Sequence, residues 1–520
     1  MPARLRSLHP LILIFFSALP LLGQMPAPGV PAPPLPGQMP VPPAPAPTET
    51  ITIDADAPAR PFPHFWEQMF GSGRAVLSLR AEYRADLRAV RQITGMQYVR
   101  FHAILDDDVG IYDEDKQGKP VYNFSYVDQI YDGLLANSIK PYVELSFMPY
   151  KLAARPDLHS LWYRPNVAPP KDYARWDDLV TQFVKHVIER YGIDEVANWY
   201  FEVWNEPNVD FWTGAPKQES YFELYDHTAR AIKAVSPRLR VGGPASSQAA
   251  WIPAMIEHAA QKNVPLDFVS THVYGNDKWP DNLPSTEKVP RDHICSTVKT
   301  AHEVVLRSAN RDLPLIVSGF NATSDNVSQV TDSIYMGAWL ASTISGCDGL
   351  AEMMSYWTFS DVFEEQGIVK QPFYGGFGLI AAGGIPKPSF YAFQVLHRLG
   401  DVRLENNNPS VLVTKTSEGY VTVAVWDLAE PGATGPPKTV KLDFKGVKPD
   451  SRLAISRVDQ EHGDTLSLYE KMGKPRYPTE DQIRDLRENS RLPDPAYDEL
   501  TDGSYILQLP VNGLAVIQVR

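Results

Sequence analysis

Cysteine is almost missing: Cys295 and Cys347 are the only two in 520 residues. That excludes a disulfide-built scaffold and a cysteine metal centre. A surplus of positive charge is missing too. With 49 Lys and Arg against 62 Asp and Glu, the formal net charge is −13, and no basic cluster interrupts it, which argues against a nucleic-acid or anionic-membrane surface. There is also no integral membrane span at the N-terminus, where LILIFFSALPLLG, after Arg4 and Arg6, is too short and wrongly flanked for one. Residues 1–24 read instead as an export signal, so a periplasmic or extracellular protein is expected, with no cysteine after the apolar run to carry a lipid. Export permits one bridge between Cys295 and Cys347, although the unpaired state is the expectation.

Residues 25–48 are roughly half proline, which predicts an extended, unpacked spacer. From 61 to 398 short apolar runs alternate with amphipathic helical stretches, the pattern of a parallel α/β fold. The runs are HFWEQMFGS, QYVRFHA, KPYVELSF, NWYFEVWNE, LRVGGPA, DFVSTHVY, LPLIVSGFN and GLAEMMSYWT. Eight of them imply a (β/α)₈ TIM barrel with its active site at the C-terminal strand ends. Polar residues gather there: Arg100 and His102, Asn205 and Glu206, His272 and Tyr274, then Trp357, Asp361, Glu364 and Glu365. Residues 399–520 change to strands without helices, an antiparallel β-sandwich, and ITIDAD within 49–60 is expected to join it. The excursion at 460–500 is expected to hold one helix, TEDQIRDLREN.

Glu206 lies in WNEPN, directly after the fourth run and before a proline that ends the ladder. Flanked by Trp204 and Trp212, its carboxyl can have a raised pKa, which suits a general acid. Asn205 can hydrogen-bond a sugar hydroxyl beside the reacting carbon. Asp106 to Asp108 read as a solvated acidic turn rather than a cation site. WYFEVWNEPN, together with YVRFHAILDDD, KPYVELSFMP, SYWTFSDVFEEQG and GIPKPSFYAFQVLHRLG, resembles glycoside hydrolase family 39, the family of β-xylosidases and α-L-iduronidase, over residues 60 to 520. The resemblance implies a retaining glycosidase acting on non-reducing-end β-linked sugars, with Glu206 as acid/base and Asn205 as partner of the sugar 2-hydroxyl. It implies that His102, His272, Tyr274, Trp357, Glu364 and Glu365 line the sugar subsite, with one of the two adjacent glutamates turned away, and that no metal or organic cofactor takes part. A glycoside or oligosaccharide is the expected partner.

One expected group is absent. In the family the strand-seven signature ends in a nucleophilic Glu, and here IVSGFN places Gly319 there. A retaining glycosidase needs that carboxylate about 5 Å from the acid to form a glycosyl intermediate. Three readings stay open: a nucleophile-deleted glycosidase, a carbohydrate-binding pseudoenzyme, or altered chemistry using an external anion or another carboxylate such as Glu352, Glu364 or Asp325. A bulge at the glycine, with Ser318 facing the pocket instead, is a further possibility. A uronide needs a cation near the ring, for which Lys278 is a weak candidate; arabinoside and galactoside specificities stay open beside xyloside.

Overall fold

The computed structural model describes residues 49–277 and 291–520; the export-signal stretch, the proline-rich spacer and Lys278 lie outside them. Eight strands, β1 (Met69–Gly71), β2 (Tyr98–Phe101), β3 (Lys140–Leu145), β4 (Tyr200–Val203), β5 (Arg240–Ser247), β6 (Phe268–Tyr274), β7 (Leu315–Asn321) and β8 (Met353–Tyr356), close in chain order into a parallel barrel. Seven fall within one of the eight apolar runs, and β5 extends two residues past its run, which ends at Ala245. Helices cover the barrel from outside, so the strands are buried on both faces and read as continuous apolar segments. The helix Tyr173–Tyr191 buries Trp176, Leu179, Val180, Phe183 and Val187 and stops at Gly192, whose φ is 84°. The closing seam is thin, since β8 and β1 share a single registered pair, Tyr356 with Phe70.

Inside the barrel, alternate residues of each strand stack in layers. The floor is apolar: Met69, Tyr98, Tyr142, Tyr200, Phe268, Ile316 and Met353 form one cluster. At this level β5 has Gly242, where a Cβ would lie 2.3 Å from the Phe268 carbonyl oxygen. The next layer is charged, with Arg100, Glu144 and Glu202 all fully buried. Towards the strand ends the register slips between β5 and β6, between β6 and β7, and between Val317 and Phe320 on β7 against β8. The last slip admits an extra residue. Val317 and Phe320 therefore both pack into the outer core, while the side-chain direction of Gly319 turns inward.

The C-terminal part is two facing sheets. Seven strands run in the order Ala59–Pro61, Val402–Leu404, Val411–Lys415, Val421–Trp426, Leu514–Val519, Arg452–Val458 and Ala496–Glu499. Glu49–Asp54 pairs in parallel with Lys438–Lys445, which pairs antiparallel with Ser504–Leu509. Ile53, Leu442 and Leu507 meet Val423, Ile455 and Ile517 in the core between the sheets. The other face of the larger sheet packs on the barrel, where Trp426, Val458 and Leu514 join the barrel's outer core. That double cover is why Val421–Trp426 is buried at every residue instead of alternating. The excursion carries two helices, Thr465–Lys471 and Glu480–Asn489, the second opened by a Thr479–Gln482 capping box. Cys295 and Cys347 are paired, against expectation: the helices His293–Arg307 and Tyr335–Cys347 lie side by side and bring the two Cα atoms to 4.9 Å. Among the described residues no helix is long and apolar enough to cross a membrane.

Candidate active site

The site is built upward from Arg100. Its Nε donates to Glu202 Oε2 at 2.6 Å, and its Nη2 donates to Asn205 Oδ1 at 3.0 Å and lies 2.8 Å from Glu144 Oε2. One guanidinium thus ties β2 to β3, to β4 and to the loop after β4. Tyr142 also donates to Glu202, at 3.2 Å, and Glu144 receives the Ser146 hydroxyl and contacts His102 Nδ1 at 2.7 Å. Burial pushes the Glu144 carboxyl up, but the Arg100 and His102 cations outweigh it and leave the pKa lowered. Burial pulls His102 down, and the Glu144 carboxylate outweighs that, so its pKa is raised. Because Asn205 Oδ1 accepts from Arg100, its amide nitrogen is left to face the cavity as a donor.

Above this layer a cavity of about 320 Å³ opens at the C-terminal strand ends, lined among others by His102, Asn205, Glu206, His272, Tyr274, Trp357 and Glu365. The loop that carries Glu206 is bent: Trp204 and Glu206 have φ of 70° and 41°, in the left-handed region that non-glycine residues rarely enter. The Glu206 amide holds the bend by donating to the Ala245 carbonyl at 2.9 Å. Its carboxyl Oε1 lies 2.8 Å from His272 Nδ1. This is no ion pair, because burial and the nearby Arg100 charge push His272 down to about 3. Burial, opposed by His102 and Arg100, pushes Glu206 up to about 7. Two more carboxyls at the cavity, Glu365 and Asp277, are pushed up to about 7, again mainly by burial. A carboxyl that is half protonated near neutrality can give or take a proton.

Several expected residues lie elsewhere. Glu364 is not in the cavity wall; it pairs with Arg80 at 2.7 Å and sits 3.8 Å from Arg74, while its neighbour Glu365 faces the cavity. Asp361 is drawn into a buried cluster with Lys387 and Asp332, at 2.7 Å from the ammonium in each case, and accepts from the Gly378 amide. Trp204 and Trp212 are fully buried against each other, 5.1 Å between ring centroids, and neither is among the residues lining the cavity. The Asp106–Asp108 turn is not fully solvated: Asp106 is buried, Asp107 accepts from the Tyr150 amide, and Asp108 accepts from Arg74 at 2.9 Å. Glu352 is exposed at the opposite end of the barrel, where its amide bonds Leu315 ahead of the strand ends, and Asp325 is exposed beside Asn276. Among the described residues the one metal-competent group, His64, Glu67 and His397, also lies at that opposite end, its donors bonded to each other.

Gly319 faces the cavity. A Cβ placed on it would lie 3.3 Å from the Tyr274 hydroxyl oxygen and 3.3 Å from His272 Cδ2. His272 therefore stands between two positions, with Glu206 at its Nδ1 edge and Gly319 at its Cδ2 edge. Ser318 is fully buried, and its hydroxyl has no hydrogen-bond partner among the described residues. Arg100 was among the polar strand-end residues read from sequence, but its buried partners Glu144 and Glu202, and Asp277, Phe211 and Gln366, were not singled out. The signal for Glu144 and Glu202 was present, since each is a charge inside an otherwise apolar strand.

A parallel eight-stranded barrel with a protonatable carboxyl after its fourth strand, in a polar and aromatic cavity, has the plan of a barrel glycoside hydrolase. The chain belongs to the glycosyl hydrolases family 39, whose family model matches residues 49–497. It is 40% identical to a β-xylosidase of Geobacillus stearothermophilus over 441 residues, covering 82% of this chain and 86% of that one. It is 35% identical to a β-xylosidase of Caldicellulosiruptor saccharolyticus over 456 residues, 85% of this chain and 91% of that one. The crystal structure of a monomeric β-xylosidase from Caulobacter crescentus CB15 superposes with a TM-score of 0.83 at 33% identity, covering 91% of this chain and 99% of that one.

Two measurements check this electrostatic layout. Arg100→Met leaves Glu144 and Glu202 buried without their cation, so urea unfolding near neutral pH is expected to show a loss of about 3–5 kcal/mol; a loss under about 1 kcal/mol would mean that water replaces the guanidinium. Glu206 has its pKa raised from 4.5 to about 7, so the folded chain holds its proton more tightly than the unfolded one, and the native carboxylate costs stability as pH rises through that window. Glu206→Gln is expected to stabilise by about 1–2 kcal/mol at about pH 8 and by almost nothing near pH 4. An equal effect at both pH values would contradict burial as the cause.

Proposed function

We propose that the cavity binds the non-reducing-end β-linked xylose of a glycoside, with Glu206 as the acid/base and Gly319 at the position of the nucleophile, so that ordinary double-displacement hydrolysis is severely impaired. The observation that carries this reading is the direction of Gly319 into the cavity of Glu206, across one imidazole ring. A carboxylate on that strand would reach the face of the sugar opposite the acid, as retention requires. Unused polar groups support it: Arg100 Nη1 and His272 Nε2 are buried beside the cavity with no hydrogen-bond partner among the described residues, and a buried group left unpaired calls for an explanation. A xyloside suits the charge of the wall. Arg100 already serves Glu144, Glu202 and Asn205, and His102 is held by Glu144, whereas Glu206, Glu365 and Asp277 would repel a carboxylated sugar. The β-xylosidase relatives point to the same sugar. The same proposal has the protein exported, supported by the apolar run after Arg4 and Arg6 and by a disulfide, which an oxidising compartment preserves.

A carbohydrate-binding protein without turnover is the second reading, favoured by the same glycine. The two separate on an aryl β-xyloside, assayed with the chain as it stands and with Gly319→Glu, each with and without azide or formate. The expected result is hydrolysis by Gly319→Glu at least about 1,000-fold above the glycine form, and a glycine form that gains activity only with the small anion. Unaided hydrolysis by the glycine form, unimproved by Glu, would contradict the assignment of Gly319; xyloside binding without turnover by any form would favour the binding protein.

A further inference from the structure

At the end of the barrel away from the cavity, three donor side chains converge where the closed barrel begins and ends. We propose that His64, Glu67 and His397 form a binding site for one divalent transition-metal ion of the zinc class, which clips the start of the barrel to the helix that follows its last strand.

The donors come from two segments 330 residues apart. His64 and Glu67 lie just before β1, and His397 caps the helix Pro388–Leu396. Their ligating atoms all lie within 4.8 Å of one another. Glu67 Oε1 is 2.7 Å from His64 Nδ1 and 2.8 Å from His397 Nδ1, and Oε2 is 3.0 Å from the latter. Both rings thus aim the same nitrogen at one carboxylate, with their planes 82° apart. Zinc bonds imidazole and carboxylate at about 2.0–2.2 Å, which sets tetrahedral ligands roughly 3.3 Å apart. The present spacing is a few tenths of an ångström short of that, and the His397 side chain, 46% exposed, has room to swing outward.

Each donor suits the task. Glu67 is buried and supplies the negative charge that two neutral imidazoles lack, and Gly95 makes room for it, since a Cβ there would lie 3.0 Å from Oε1. His64 stacks on Trp66 at 4.5 Å between centroids. Its Nε2 is buried with no hydrogen-bond partner among the described residues, so coordination through Nδ1, which moves the ring proton to Nε2, breaks no bond on that side. Two imidazoles and a carboxylate are the mixed nitrogen and oxygen set that zinc, copper and nickel accept, whereas calcium and magnesium favour oxygen alone.

The place gives the ion a use. β8 and β1 close the barrel through a single registered pair. Beside it, the Met354 amide donates to the Phe65 carbonyl at 3.0 Å and the Phe62 amide to the Asp401 carbonyl at 2.7 Å. An ion held by residues 64, 67 and 397 adds a further tie across this seam. A clip that closes so long a loop restricts the unfolded chain strongly, and the free energy of binding becomes free energy of folding.

The test is calorimetry of the full chain, carrying no histidine tag and stripped with chelator, against Zn²⁺, followed by thermal unfolding with and without the ion. The expected result is one Zn²⁺ per chain with a Kd of about 10 µM or tighter, an unfolding midpoint that rises with Zn²⁺ and falls back with chelator, and no such response to Ca²⁺ or Mg²⁺. His397→Ala, at a half-exposed position, should weaken binding at least about 10-fold and remove the rise. His186→Ala, which removes a separate histidine–carboxylate pair, should change neither. Zn²⁺ binding weaker than about 10 µM, binding that survives His397→Ala, an equal response to Ca²⁺, or a midpoint indifferent to bound Zn²⁺ would overturn the inference and leave the cluster as a hydrogen-bonded tie.

Discussion

A guanidinium with no access to water holds the mouth of this barrel together. Arg100 is shared by two carboxylates and an amide from three successive barrel segments, and each of these passes the constraint on. Glu144, fixed by Arg100, in turn fixes the ring of His102; Asn205, fixed through its oxygen, presents its nitrogen to the cavity. Removing such charges from water costs several kcal/mol per ion, repaid only when all of them find partners. The apolar floor beneath supplies the burial that makes the arrangement both expensive and rigid. A site whose supporting groups are locked in this way can hold a reacting carbon within a fraction of an ångström.

The charge of Arg100 is spent one layer below the cavity, and the electrostatics above follow from that. Glu144 touches the guanidinium and has its pKa lowered. At the cavity, burial outweighs the nearby His102 and Arg100 charges for Glu206 and Glu365 and dominates for Asp277, and all three are pushed up to about 7. Two sets of carboxyls in one barrel are thereby given opposite tasks, structural anions below and proton carriers above, by environment alone. The stability given up by keeping the upper set dry is a cost that active sites commonly carry.

The eight strands were legible because a parallel strand covered on both faces is a plain apolar run bounded by polar ends, and eight such runs in alternation with helices permit few other folds. Ala59–Pro61 was not, since three exposed residues have no periodicity to read. Glu206 could be found because a proline directly after it marks a strand end. The disulfide and the Arg100 cluster depend on which elements the closed barrel sets side by side, and contacts across 52 or 102 residues leave no mark on the chain between them.

On the proposed reading, Gly319 is the position where the plan of the site and its residues disagree. A bulge turns it inward, an imidazole separates it from Glu206 and a tyrosine hydroxyl faces it. The most direct test of the account is the structure of the chain soaked with an intact aryl β-xyloside. The account predicts an uncleaved sugar in the cavity, its glycosidic oxygen at Glu206 and its anomeric carbon on the side of Gly319. A cleaved sugar bonded to another carboxyl, or a sugar bound away from Glu206 and Gly319, would contradict it.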